Sequence, residues 1–273
     1  MIMISQSFFI KLHWFLSSQF GFDLRRFIAS LRGIPRFLHN LRHFQHGYVG
    51  RLTLSPCLHD WYEEGGITRS EYFWQDLLVA RWIFEAKPEK HVDFGSRVDG
   101  FVAHVASFRE IEVIVVRPIS TLVPGVVFKQ ADLMQPVERV SVDGGYCDSL
   151  SCLHAIEHFG LGRYGAPIDP QGWQRGIANM ARLLKPRGWF YLSTPIGQER
   201  VEFNAHRVFD PRIIIQCAEA NGLSLQVLTL IGAGGLISPA ALTDENMQQI
   251  ALARYNLGIF VFKKMFNESS SYV

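Results

Sequence analysis

The spacing of hydrophobic and polar positions changes period near residue 70, and the change divides the chain. Before that point the period is helical. Phe22, Leu24, Phe27, Ile28 and Leu31 recur at helical spacing with Arg25, Arg26 and Arg32 between them. Gly33 and Pro35 are expected to end that helix, and Phe37, Leu38, Leu41 and Phe44 mark a second, short one. Residues 71–86 (EYFWQDLLVARWIFEA) read as a longer helix closed by Lys87-Pro88. Beyond it, short apolar runs at 91–94, 112–116, 126–128, 147–153, 189–193, 223–230 and 258–263 alternate with helical patterns near 101–107, 173–184 and 211–220. Strands separated by helices are βαβ units. The expected fold is therefore α/β: a doubly wound, seven-strand, mostly parallel sheet of Rossmann-like form with an N-terminal helical extension. The expected division is a basic helical extension over 1–65 and an α/β domain over 66–273. There is no internal repeat, and the serine run at 269–271 reads as a frayed end.

Composition narrows the class. With 273 residues, 48% hydrophobic and 19% charged, the chain can bury one large α/β core, which excludes disordered and collagen-like classes. No run approaches the roughly 18 apolar residues of a membrane span. The N-terminal apolar run is broken by Lys11 and His13 and lacks a small-residue cleavage site, which argues against a secretory signal. Four cysteines without a CxxC pair fit reduced thiols and a cytoplasmic location.

The net charge of +2 is unevenly spread. Residues 1–51 hold seven Lys/Arg against Asp23 alone, so the remainder is mildly acidic and nucleic-acid binding is not expected. A basic amphipathic helix pair either lies on an anionic membrane surface, peripheral to its inner face, or packs as an arm on the protein's own flank or in a homo-oligomer. His39, His43 and His46 share a helical face, but no Cys or carboxylate joins them. They read as a solvated basic face, and no metal site is expected.

Candidate chemistry gathers after the strands. The first strand runs into HVDFGSRVDGF (91–101), where Asp93-x-Gly95 opens a glycine-containing turn before a helix. Such a turn lets backbone approach a nucleotide-like ligand at the carboxyl edge of the sheet. Only Gly95 and Gly100 are present, so the dinucleotide fingerprint is not met. LHAIEHFGLGRYG (153–165) brings His154, Glu157 and His158 together after the fourth strand. A histidine there can serve as a base toward an acceptor hydroxyl or be a loop residue bonded to backbone, with Glu157 as reserve base or orienting partner. FNAHR (203–207) offers Asn204, His206 and Arg207 after the fifth strand. They either grip a hydroxyl, phosphate or carboxylate or stabilise their own loop. Gly232–Gly235 lacks the lysine of a phosphate-binding loop and reads as a turn or lid.

The order of these features resembles the class I S-adenosylmethionine-dependent methyltransferases, with LLKPRG-WFYLSTP (183–195) similar to their turn and fifth strand. A closer similarity is to a methyltransferase-like domain family of unassigned function, through YFWQDLLVARWI (72–83), VDFGSRVDGFVAHV (92–105), SLSCLHAIEHFGLGRYG (149–165) and FNAHRVFD (203–210). Members are often encoded with polysaccharide-assembly enzymes. The resemblance implies methylation of a sugar or surface-glycan intermediate with S-adenosylmethionine as cofactor, or a methyltransferase-like binding or scaffold subunit without catalysis. It also implies cofactor contacts from Asp93, Gly95, Ser96 and Gly100 at the methionine end, from Asp132 and Leu133 at the adenine, and from Asp148 at the fourth strand. One position departs from the pattern. Where these enzymes usually place an acid on the ribose, after the second strand, this chain has Val115, Val116 and Arg117.

Overall fold

The N-terminal pattern forms two helices, α1 (Gln6–Phe20) and α2 (Leu24–Gln45), in the computed structural model, which describes residues 6–63, 65–66, 68–135 and 145–266. Asp23 caps α2, its carboxylate accepting the Arg25 and Arg26 N–H groups at 2.8 and 3.1 Å. The expected break at Gly33 and Pro35 does not occur: α2 runs through both. The reason is tertiary. A Cβ on Gly33 would overlap the carbonyl oxygen of Leu58, so the missing side chain lets the 52–58 segment lie directly on the helix. Gly33 is the one buried residue of α2, and this packing outweighs the local propensity to stop. The chain forms two compact units, Met1–Ile67 and Thr68–Val273. The serine run 269–271 lies outside the described residues.

The second unit begins with α3 (Glu71–Ala86), which has the bounds its pattern predicts. It continues through β1 (His91–Phe94), a wide helical turn into α4 (Ala103–Ala106), β2 (Ile111–Val115), β3 (Val126–Gln130), β4 (Cys147–Leu153), α5 (Gly172–Leu183) and β5 (Leu184–Ile196). Then follow a hairpin of β6 (Arg200–Glu202) and β7 (His206–Val208), α6 (Pro211–Ala220), β8 (Leu223–Ile231), β9 (Ile237–Pro239), α7 (Asp244–Leu252) and β10 (Asn256–Lys264). All four residues of β1 are buried, as a central parallel strand requires.

The main sheet has the order β3-β2-β1-β4-β5-β10-β8-β9. The first five strands are mutually parallel, and β10 runs antiparallel between β5 and β8. Seven strands match the expected set; short β9 adds an eighth at the edge, because the Gly232–Gly235 turn folds back on β8. Two apolar clusters fill the faces, one beneath α5, α6 and α7 and the other beneath α3 and α4. The LKPRG stretch lies inside β5 as an irregularity: Leu184 pairs with Cys147 and Trp189 with Ser149, with Arg187 at φ 65°. The strand order reverses between β1 and β4, which in an open α/β sheet opens a crevice at the carboxyl edge. Among the described residues, no helix is long and apolar enough to cross a membrane.

Candidate active site

A cleft of about 550 Å³ opens at that reversal, over the carboxyl ends of β1, β2 and β4 and the loop after β3. Gly95 and Ser96 line one wall, Asp132 and Leu133 another, and His154 and His158 a third. These six sequence candidates converge.

Each wall has a local cause. Gly95 holds φ 71°, a conformation that favours glycine, and a Cβ there would come within 3.2 Å of Ala155. The turn is tied down from beneath by Asp93, whose carboxylate accepts the Ser96 N–H at 3.0 Å and the Ser96 and Ser151 hydroxyls at 2.5 Å each. Asp93 is fully buried, and burial pushes its pKa up to about 6. Asp93, expected at the methionine end of the cofactor, lies beneath the turn and does not line the cleft. Below it, His91 is bonded to Ser149 at 2.8 Å and Ser151 at 3.1 Å, and burial pulls its pKa down to about 3. On the wall after β3, Asp132 Oδ1 accepts the Met134 N–H at 2.9 Å and fixes that loop.

Five other candidates lie elsewhere. Gly100 packs against the Asp76 carboxylate of α3, where a Cβ would collide, and is a packing glycine. Asp148 sits at the amino end of β4, about 16 Å along the strand from its carboxyl end. Its carboxylate accepts the Glu89 and Lys90 N–H groups at 2.7 Å, tying down the turn into β1. Arg207 donates to the backbone carbonyls of Glu157, Phe159 and Pro170, which commits its guanidinium to shaping the loop after β4. Asn204, exposed with φ 60°, and half-buried His206 belong to the β6–β7 hairpin and do not line the cleft. The hairpin reaches the site through its backbone instead: the Ala205 carbonyl accepts from His158 Nδ1 at 2.8 Å.

The two histidines have opposite charge states. His154 Nδ1 is 2.8 Å from Glu157 Oε1 and its Nε2 is 3.4 Å from Glu71 Oε1, on the first turn of α3. Burial opposes the charge on the ring, but the two carboxylates outweigh it and push the pKa up to about 9. Glu157 and Glu71, which burial alone would raise, are both held below the usual carboxylate range by that imidazolium. Both ring nitrogens of His154 face carboxylates, an arrangement that favours its charged form and pairs it with Glu157. His158 is the reverse case, since burial lowers its pKa. Its Nδ1–H donates to the Ala205 carbonyl, which leaves Nε2 as the acceptor nitrogen of the ring, 3.4 Å from Arg163 Nη1 and 3.9 Å from Glu157 Oε1.

Sequence reasoning missed Glu71 and Tyr72 of α3; Tyr72 lines the cleft and stacks on His154 at 4.4 Å. It also missed Arg163, whose guanidinium lies against the His158 ring and donates to Ala205 at 2.9 Å, and Tyr164 beside it. A signal for α3 was present: Gln75 and Asp76 occupy its buried face beside Val79, Ala80 and Ile83. Polar residues at core positions of a helix mark a face turned toward a polar site.

Among known proteins, residues 129–218 match the family described as "Caenorhabditis protein of unknown function, DUF268". No curated protein matches the chain. The solved [4+2]-cyclase SpnF is 13% identical with a TM-score of 0.50, over 70% of this chain and 82% of that one. The fold is the Rossmann-like methyltransferase fold. The antiparallel strand inserted between β5 and β8 completes that topology here. Two further similar structures were solved with S-adenosylhomocysteine. The 1,6-didemethyltoxoflavin-N1-methyltransferase of Burkholderia thailandensis is 11% identical over 76% of this chain and 81% of its own (TM-score 0.47). The N-methyltransferase NodS of Bradyrhizobium japonicum is 12% identical over 75% and 91% (TM-score 0.48).

Proposed function

We propose that the chain is an S-adenosylmethionine-dependent O-methyltransferase acting on a hydroxyl of a sugar or surface-glycan intermediate, with His158 as the base. The observation that supports this most is the pairing, in one cleft, of a glycine turn at the end of β1 with a neutral histidine after β4. The residues fit the cofactor at two ends. The Gly95-Ser96 turn leaves room for the methionine end, and the Asp132-Leu133 segment borders the space for the adenine. The ribose edge is apolar at Val115 and Val116, so its hydroxyls would gain no carboxylate partner there.

Bound S-adenosylmethionine supplies an electrophilic methyl group. The chain supplies position and a proton acceptor. His158 Nε2 would take the hydroxyl proton as the acceptor oxygen forms its bond to carbon, a role worth roughly 10²–10⁴ in rate. Charged His154 holds its place between Glu71 and Glu157 and shapes the floor. Similarity to domains encoded with polysaccharide-assembly enzymes supports the sugar acceptor.

The second reading is a binding or scaffold subunit in glycan assembly that keeps the fold without catalysis. It is favoured by Val115, Val116 and Arg117 standing where an acid would hold the ribose. Transfer of labelled methyl from S-adenosylmethionine to a panel of sugar acceptors separates the two. The enzyme reading predicts transfer that falls 10²–10⁴-fold in His158→Ala while S-adenosylhomocysteine affinity is kept. Absence of both S-adenosylhomocysteine binding and methyl transfer in the wild type supports the scaffold.

A further inference from the structure

The rim of the cleft holds a pair of cations, Arg117 and Arg163, the second of which also lies against the His158 ring. Tyr164 stands between two guanidinium groups, with the Arg117 Cζ 4.5 Å and the Arg163 Cζ 4.6 Å from its ring centroid. Arg117 comes from the end of β2 and Arg163 from the loop after β4, so two separate elements bring these charges together. Among the described residues neither meets a carboxylate, whereas Arg97, the third arginine of the cleft, is matched by Asp99 at 2.8 Å. Tyr164 itself is half-exposed and held at φ 59°. A bulky residue in the left-handed region is maintained by its surroundings, and such strain collects at ligand sites.

The charges lining this cleft are unbalanced. Among the described residues, one carboxylate of the lining, Asp132, accompanies these two arginines, while Glu71 and Glu157 are occupied by His154. S-adenosylmethionine would add to the excess, since its sulfonium and ammonium outnumber its single carboxylate. Like charges in a cleft partly shielded from water repel, so a complete complex needs an anionic member. Guanidinium forks match phosphate oxygens bidentately.

We propose that the acceptor carries a phosphate or diphosphate, as a sugar phosphate or a nucleoside-diphosphate-linked sugar does, and that Arg117 and Arg163 seat it on either side of Tyr164. The inference rests on the methyl-transfer reading for the reaction, but the anion site stands on its own geometry. Removing Arg117 leaves His158, Gly95 and Asp132 untouched.

Calorimetry on the full-length protein tests this with four probes: pyrophosphate, glucose 1-phosphate, glucuronate and S-adenosylhomocysteine. Pyrophosphate and glucose 1-phosphate should bind the wild type. Both should bind at least tenfold more weakly to Arg117→Gln, with part of the loss restored in Arg117→Lys. S-adenosylhomocysteine affinity should fall by less in Arg117→Gln than the affinity for either phosphate. Phosphate affinities that are absent in the wild type, or equal in wild type and Arg117→Gln, overturn the anion site. Preference for glucuronate over glucose 1-phosphate overturns its assignment to phosphate. Arg117-dependent phosphate binding without S-adenosylhomocysteine binding rejects the methyltransferase reading and leaves the anion site standing.

Discussion

At the scale of single residues, the same amino acid does two jobs four positions apart. His154 and His158 were legible as a pair because both follow a strand that ends at the open edge of the sheet. Their opposite protonation was not, because it depends on Glu71, brought in by a helix distant in sequence. The raised pKa of His154 has a measurable sign. A histidine whose folded pKa of about 9 exceeds its unfolded value of about 6.5 contributes stability that is fully present below pH 6.5 and lost as pH rises through 9. The wild type should lose up to about 3 kcal/mol across that window. His154→Gln should be less stable at pH 6.5 and nearly flat from 6.5 to 9 in thermal melts; an equal slope in both proteins refutes the buried ion triad. Asp93 shows the converse limit. Its motif position was readable, but not its burial beneath the turn. Asp93→Ala should strip the Ser96 and Ser151 hydroxyls of their acceptor and cost about 2–4 kcal/mol in urea denaturation, so a fully stable variant contradicts the positioning role.

The elements of the second unit were legible because period and punctuation agree there. α3 and α6 begin and end where the pattern says, and the strands fall on the short runs between helical patterns. The first unit was misread because Gly33 and Pro35 are breakers by propensity, whereas the contact with Leu58 that overrides them joins segments far apart in the chain. A side chain at Gly33 would meet backbone, which cannot rotate away. Gly33→Ala should therefore destabilise this unit by about 1–3 kcal/mol, read as faster limited proteolysis between residues 45 and 60. Gly47→Ala, which meets nothing within 4 Å, should leave the digestion unchanged. Comparable digestion of both variants refutes the packing explanation.

At the scale of the molecule, the basic character gathers in residues 1–51 while the cleft lies wholly within Thr68–Val273. Trp14, Phe15, Phe20, Phe27 and Leu31 are exposed alongside Arg25, Arg26 and Arg32, a composition suited to an anionic lipid surface. Deleting residues 1–67 should leave a cooperatively melting domain that no longer sediments with phosphatidylserine vesicles. Unfolding of the truncated chain, or sedimentation equal to the full-length protein, contradicts the separate roles assigned to the two units. The central claim is that the cleft beside Gly95 holds the cofactor. Its most direct test is calorimetric titration of the full-length protein with S-adenosylhomocysteine. The account predicts saturable one-to-one binding that survives in His158→Ala and disappears in Gly95→Val, whose side chain would meet both a left-handed backbone and the Ala155 methyl. An absence of binding to the wild type, or equal binding by Gly95→Val, would contradict it.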